Sequence, residues 1–179
     1  MKSPQILKQT SNWVLVDKPA GWLSVPSRLG KKDERPCVGY WLEDVLETKV
    51  SPVHRLDLEV SGLILFALSD GFHRWANELF ENHKIEKTYM AFTDAPAGFA
   101  VGVEQAWTGK IVRGKKRSFY AEHGKDSETF ATLERVDGAR AQWSLRPTTG
   151  RPHQLRLDLS SRGFPIWGDQ LYGSTHEWL

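Results

Sequence analysis

The residues best placed to do chemistry form one stretch, Val53-His54-Arg55-Leu56-Asp57, which leads through Leu58-Glu59-Val60 and Ser61-Gly62 into the apolar run Leu63 to Leu68. That run is too short to span a membrane and rich enough for a buried strand. Asp57 is therefore expected where core meets surface. A carboxylate there, with His54 and Arg55 beside it, is shielded enough for its reactivity to be tuned and open enough to be reached by a ligand. The same residues also suit a turn aspartate that bonds its own backbone next to a solvated arginine. A second group is Lys87 and Tyr89, on a strand expected over Glu86 to Phe92; alternate strand residues share a face. Tyr89 alone reads equally as a half-buried strand tyrosine with a satisfied hydroxyl. A third is Thr149-Gly150-Arg151-Pro152-His153-Gln154-Leu155-Arg156, followed by Gly168-Asp169-Gln170-Leu171-Tyr172-Gly173.

The elements that must hold these groups can be read from periodicity and turn residues. Trp13 to Asp17 reads as a strand, Lys18-Pro19-Ala20-Gly21 as a plain turn that ends it, and Trp22 to Val25 as resumed extended chain. Cys37 to Leu46 places Val38, Trp41, Leu42, Val45 and Leu46 at helical spacing after Pro36. A second helix is expected from Asp70 as its N-cap, with Phe72, Trp75, Ala76, Leu79 and Phe80 on a core-facing side. Asp94 to Gly102 reads as a loop. Trp107 to Val112, Arg117 to Glu122, Ser127 to Val136 and Arg140 to Leu145 read as successive strands of an antiparallel meander. Pro152 to Arg162 is ambiguous: Leu155, Leu157 and Leu159 alternate like a strand, whereas Pro152 and Gly163 would bracket a helix. Short strands with few helices are compatible with an α+β fold.

Composition bounds the class. The 179 residues suit one domain able to bury roughly 70% of its unfolded surface. Lys and Arg number 24 against 22 Asp and Glu, so any nucleic-acid contact must be a local patch. The basic focus is the turn Arg113-Gly114-Lys115-Lys116-Arg117, extended by Phe119, Tyr120, His123 and Lys125; it is either a solvated charged turn or a phosphate contact. Cys37 is the single cysteine, which excludes an internal disulfide and fits a reducing compartment. The six histidines are scattered without ligand spacing, so no metal is expected. Without an apolar leader or spanning run, the expected location is the cytoplasm.

Taken together, His54-Arg55-Leu56-Asp57 with Ser61-Gly62-Leu63, Lys87-Thr88-Tyr89, Gly150-Arg151-Pro152-His153-Gln154-Leu155-Arg156 and Gly168 to Gly173 resemble the RluA-type pseudouridine synthases, in family order and over nearly the whole chain. Lys18-Pro19-Ala20-Gly21 resembles an N-terminal element of the same family. The resemblance implies a catalytic core with a mixed, mostly antiparallel sheet, flanking helices and a cleft across its middle. It implies a helix after Pro152, and residues 1–179 as one catalytic domain with no appended RNA-binding domain.

It also implies roles. Asp57 corresponds to the family's catalytic aspartate, Arg156 to its partner arginine, and Tyr89 to the tyrosine packed on the uracil. Leu155 would lie beneath the ring, and Arg55 would fill the gap left by a flipped nucleotide. His54, Lys87 and Arg151 fall in the same motifs and are expected to contact substrate, with Arg113, Lys115, Lys116 and Arg117 added by their charge. The expected substrate is ribosomal RNA, with transfer RNA as the other class, no cofactor, no membrane and a monomeric enzyme. Two departures limit the likeness: Leu58-Glu59-Val60 stands where the family commonly has Arg-Asp-Thr, and Pro152 where it has Thr or Ser. A glycoside hydrolase would need a facing pair of carboxylates, and no second acid is evidently partnered with Asp57. A noncatalytic RNA-binding module would keep the basic turn while dispensing with Asp57, Tyr89 or Arg156; all three are present.

Overall fold

Alternation of apolar and polar residues builds the first sheet. β1 (Gln5–Gln9) pairs antiparallel with β2 (Trp13–Lys18); β3 (Ser51–Pro52) pairs likewise with β4 (Gly62–Ala67); and β2 joins β4, giving the order β1-β2-β4-β3. Val14 and Val16 from β2 meet Ile64 and Phe66 from β4 on one buried face. α1 (Val38–Leu46) covers that face with Val38 and Leu42. α2 (Asp70–Glu81) packs Phe72, Ala76 and Phe80 with Val53 and Ala67. Its N-cap is Ser69, not Asp70: the Ser69 hydroxyl accepts from the Phe72 amide at 3.4 Å, and Asp70 becomes the acidic residue of the first turn. Trp75 departs from the expected core stripe. It is 55% exposed and leans on Phe72, because the buried stripe is narrow and centred on Ala76.

The computed structural model describes residues 2–177, and the chain divides between Lys84 and Ile85 into two compact units. The second is a five-stranded antiparallel sheet formed by β5 (Tyr89–Asp94), β6 (Glu104–Arg113), β7 (Ser118–Tyr120), β8 (Lys125–Asp137) and β9 (Arg140–Pro147). Its order, β5-β9-β8-β6-β7, corrects the expected meander. β7 pairs only with Ile111 to Arg113 on one edge of β6, and β8 takes the other edge from Glu104 to Ile111. Three residues are enough to close a hairpin and too few to separate two long strands.

The core of this unit is aromatic. Trp143 is 1% exposed, stacks on Phe164 at 5.2 Å, and meets Phe99 and Trp107 at 5.3 and 5.4 Å. Its indole N–H donates to the Thr93 hydroxyl at 2.9 Å, so the polar edge of the ring is also satisfied. α3 (Gln154–Ser160) adds Leu159 to this cluster. The chain after Pro152 is thus helical, starting two residues beyond the proline and turning at Gly163, whose φ is +89°. The fold is α+β, as the sequence predicts. Trp143→Ala is expected to lower unfolding free energy by about 4 kcal/mol, since it empties a large buried site; urea denaturation measures this.

Candidate active site

Asp57 lies on a loop whose backbone is fixed on both sides. The Leu56 amide donates to the Ser24 hydroxyl at 3.0 Å, and that hydroxyl donates to the Leu56 carbonyl at 2.7 Å. One residue beyond Asp57, the Leu58 carbonyl accepts from the Gly21 amide at 2.8 Å and from the Lys18 ammonium at 3.1 Å. The Val60 amide closes the turn on the Asp57 carbonyl at 3.2 Å. Gly21 holds φ of +82°, a conformation that favours glycine, while presenting its amide to this loop. Asp57 itself is half-buried and Arg55 exposed.

Lys18 explains the turn that begins with it. Strand alternation puts it on the same inward face as Val14 and Val16, and it has no exposed surface. Its three ammonium hydrogens meet the carbonyls of Trp22 at 2.7 Å, Pro19 at 3.1 Å and Leu58. Burial pulls its pKa down to about 8, against the pull of the Glu59 and Asp57 carboxylates, which favour the charged form. His54 is a strut: its Nε2 accepts from the Leu65 amide of β4 at 3.1 Å, and its ring stacks on Phe80 of α2 at 5.1 Å. Accepting at Nε2 fixes the neutral tautomer with hydrogen on Nδ1.

In the second unit Arg156 projects from α3 into a carboxylate fork. Its Nε and terminal nitrogen donate to the two Asp169 oxygens at 2.7 and 2.8 Å, with side-chain exposures of 13% and 8%. The guanidinium lies 5.1 Å from the centre of the Tyr172 ring. Asp169 also caps the short 3-10 turn Gln170–Tyr172, so the segment Gly168 to Gly173 is a mount for Arg156. The Tyr172 hydroxyl accepts from the Ser118 amide at 2.7 Å and meets His153 Nδ1 at 3.0 Å. His153 has a left-handed backbone, φ 55°, immediately before the helix.

Gln154 secures that strained turn. It is only 4% exposed; its amide nitrogen donates to the Glu128 carbonyl and the Thr129 hydroxyl, and its oxygen accepts from the Thr149 hydroxyl and the Arg151 amide. Asp158 pins the far side of α3, accepting from Thr129 and from Tyr120. Burial raises the pKa of Asp158 and, with the adjacent Asp158 carboxylate, pushes Tyr120 up to about 12, so the phenol keeps its proton in this bond.

The predicted residues therefore fall in two sets. His54, Arg55 and Asp57 share the first unit; Lys87, Tyr89, Arg151, Leu155, Arg156 and the basic turn share the second. Tyr89 and Leu155 pack against the same aromatic cluster. Lys87 precedes β5 instead of lying on it, which corrects the face-sharing argument for Lys87 and Tyr89; burial lowers its pKa. Arg151 commits its Nε to the Asp126 carbonyl at 2.7 Å. Arg113, Lys115, Lys116 and Arg117 are exposed on the β6–β7 turn. Sequence reasoning named Lys18, Gln154, Asp169 and Tyr172 within its motifs without assigning them roles, and missed Ser24. For Lys18 a signal existed, a lysine at the third inward position of an alternating strand.

Comparison with known proteins shows the family. Residues 12–161 match the model of the RNA pseudouridylate synthase family. The chain belongs to that family, which makes it an isomerase. It is 31% identical to the tRNA pseudouridine synthase C of Haemophilus ducreyi over 96% of its own length and 75% of the relative's. To the dual-specificity RNA pseudouridine synthase RluA of Escherichia coli K12 it is 32% identical, over 94% of this chain and 77% of that one. The solved structure of human RNA pseudouridylate synthase domain containing 4 superposes with a TM-score of 0.75 at 24% identity, covering 96% of this chain and 70% of that one.

Two outcomes follow from the anchors around Asp57. Ser24→Ala removes both partners of the Leu56 peptide and is expected to lower unfolding free energy by about 2 kcal/mol, with kcat reduced more than KM in steady-state assays. For Lys18, the folded pKa of about 8 lies below the free value of 10.5, so the unfolded chain binds more protons between them. Stability from this group is therefore complete above the upper value and lost as pH falls through the lower one. Thermal midpoints should rise from about pH 8 to about pH 10 in the parent, and Lys18→Met should flatten that rise.

Proposed function

We propose that this protein converts a specific uridine of transfer or ribosomal RNA to pseudouridine, with the Asp57 carboxylate as nucleophile or base. The observation that carries the reading is the bracketed carboxylate: the peptides of Leu56 and Leu58 are each held by partners from outside the loop, so the side chain between them is offered from a fixed platform. The reaction breaks the bond between ribose C1′ and uracil N1, turns the ring in place, and joins C1′ to C5; C5 gives up one proton and N1 gains one. Oxidation state does not change. Asp57 either attacks C1′, giving a covalent sugar ester that the rotated ring displaces, or removes a ribose proton to start the cleavage. Arg156, presented in a fixed plane by Asp169, serves as the cationic partner of the anionic centre. Tyr89 packs on the uracil and assists loss of the C5 proton, and Leu155 supports the ring from below.

The target nucleotide must leave its stack, because a stacked base screens C1′ from a carboxylate; Arg55, exposed beside Asp57, takes the vacated place. His54, Lys87 and Arg151 border the bound strand. Residues 1–179 act as one catalytic domain, as a monomer, in the cytoplasm, without a cofactor. Among the described residues no helix is long and apolar enough to cross a membrane.

Release of tritium from RNA labelled at uridine C5, with transfer and ribosomal transcripts offered separately, tests this. The parent should release label from at least one transcript, and Asp57→Asn should slow release by at least about a thousandfold while still binding that RNA. RNA binding with no release from any transcript or assembled ribosomal particle would favour a binding module instead.

A further inference from the structure

The β6–β7 hairpin carries a feature that the reaction does not require. Its turn is closed by the Gly114 amide donating to the Arg117 carbonyl at 3.0 Å. A β-carbon on Gly114 would lie 2.6 Å from that carbonyl oxygen and 3.2 Å from the Phe119 ring, so only glycine fits and the ring must lie along the turn. Among the described residues, no ion pair engages Arg113, Lys115, Lys116 or Arg117, whereas Lys110, three residues before Arg113 on β6, pairs with Asp126 at 3.7 Å. Phe119 is 44% exposed, and among the described residues it takes part in no ring contact or cation–π pair. An open aromatic face on a hairpin whose turn carries four cations matches a chain that offers both phosphates and free base faces.

The hairpin is also rigid at its base. Ser118, 1% exposed, donates its amide to the Tyr172 hydroxyl and its own hydroxyl to the Pro152 carbonyl, each at 2.7 Å. The platform is therefore fixed relative to the mount of Arg156.

We propose that Arg113–Tyr120 docks an unpaired stretch of RNA flanking the target nucleotide, with Phe119 stacking one base and the four cations holding its phosphates. This rests on the RNA-modifying reading above. A duplex offers the phosphates but not the base face, so the hairpin selects loops and single strands.

Fluorescence anisotropy with a labelled oligouridine and a blunt RNA duplex of equal length tests the assignment. Phe119→Leu should weaken oligouridine binding about tenfold and leave the duplex unaffected, while Phe119→Trp should bind oligouridine like the parent. Replacing all four cations by glutamine should weaken both probes and reduce the salt slope of log affinity by about 3. Parent-like oligouridine binding by Phe119→Leu, equal losses in the leucine and tryptophan variants, or an unchanged salt slope would each overturn it. Tritium release separates the two readings. Label release with KM unchanged in Phe119→Leu retains the enzyme and rejects the platform; Phe119-dependent oligouridine binding by a parent that releases no label does the reverse.

Discussion

A charged amine with no exposed surface is the constraint on which the first unit depends. An ammonium taken out of water is strongly unfavourable unless each hydrogen finds an oxygen, and Lys18 finds three, all backbone carbonyls. Those carbonyls belong to Pro19, Trp22 and Leu58, so two loops distant in sequence are drawn to one point. Neither loop can shift without exposing the amine or leaving oxygens unmatched. Ser24 adds a second tie in the same place, donating and accepting through one hydroxyl. Asp57 inherits its position from these contacts, none of which uses its own side chain. Glu59 and Asp57 supply the negative charge that offsets part of the desolvation of Lys18.

The second unit solves a similar problem with side chains. Arg156 is nearly buried, and a planar guanidinium is held best by a planar carboxylate that bonds it twice. Asp169 does this while capping the turn that brings Tyr172 under the guanidinium. Tyr172 in turn reaches Ser118 and His153, which links the helix bearing Arg156 to the edge hairpin. Breaking the Arg156–Asp169 pair would cost about 3 kcal/mol and would release several of these contacts together.

Much of this was legible in the residues because periodicity reports burial directly. Val14, Val16, Ile64 and Phe66, and the helical spacing of Val38 and Leu42, mark the inner faces they occupy. The α+β class and the family followed from ordered motifs. Less legible was everything that depends on which strand lies beside which: β7 and β8 follow each other in sequence yet sit on opposite edges of β6. Helix α3 was ambiguous because Leu155, Leu157 and Leu159 satisfy both periods over so short a span. The support residues were hidden for a different reason. Ser24, Gln154 and Asp169 each also bond a partner 13 to 32 positions away, and no local pattern encodes those distant bonds.

The two departures from the family pattern become intelligible at the same level. Leu58 stands where an arginine is common, but what the loop uses at that position is the carbonyl, which receives Gly21 and Lys18 whatever side chain is attached. Pro152 stands where threonine or serine is common, and again its carbonyl is the working group, accepting from Ser118 at the foot of the hairpin. A proline there also carries no amide hydrogen that would need a partner. Both substitutions therefore leave the scaffold of the site intact and alter only what faces outward. Leu58 adds no charge beside Asp57, and the β6–β7 turn is where this chain concentrates positive charge.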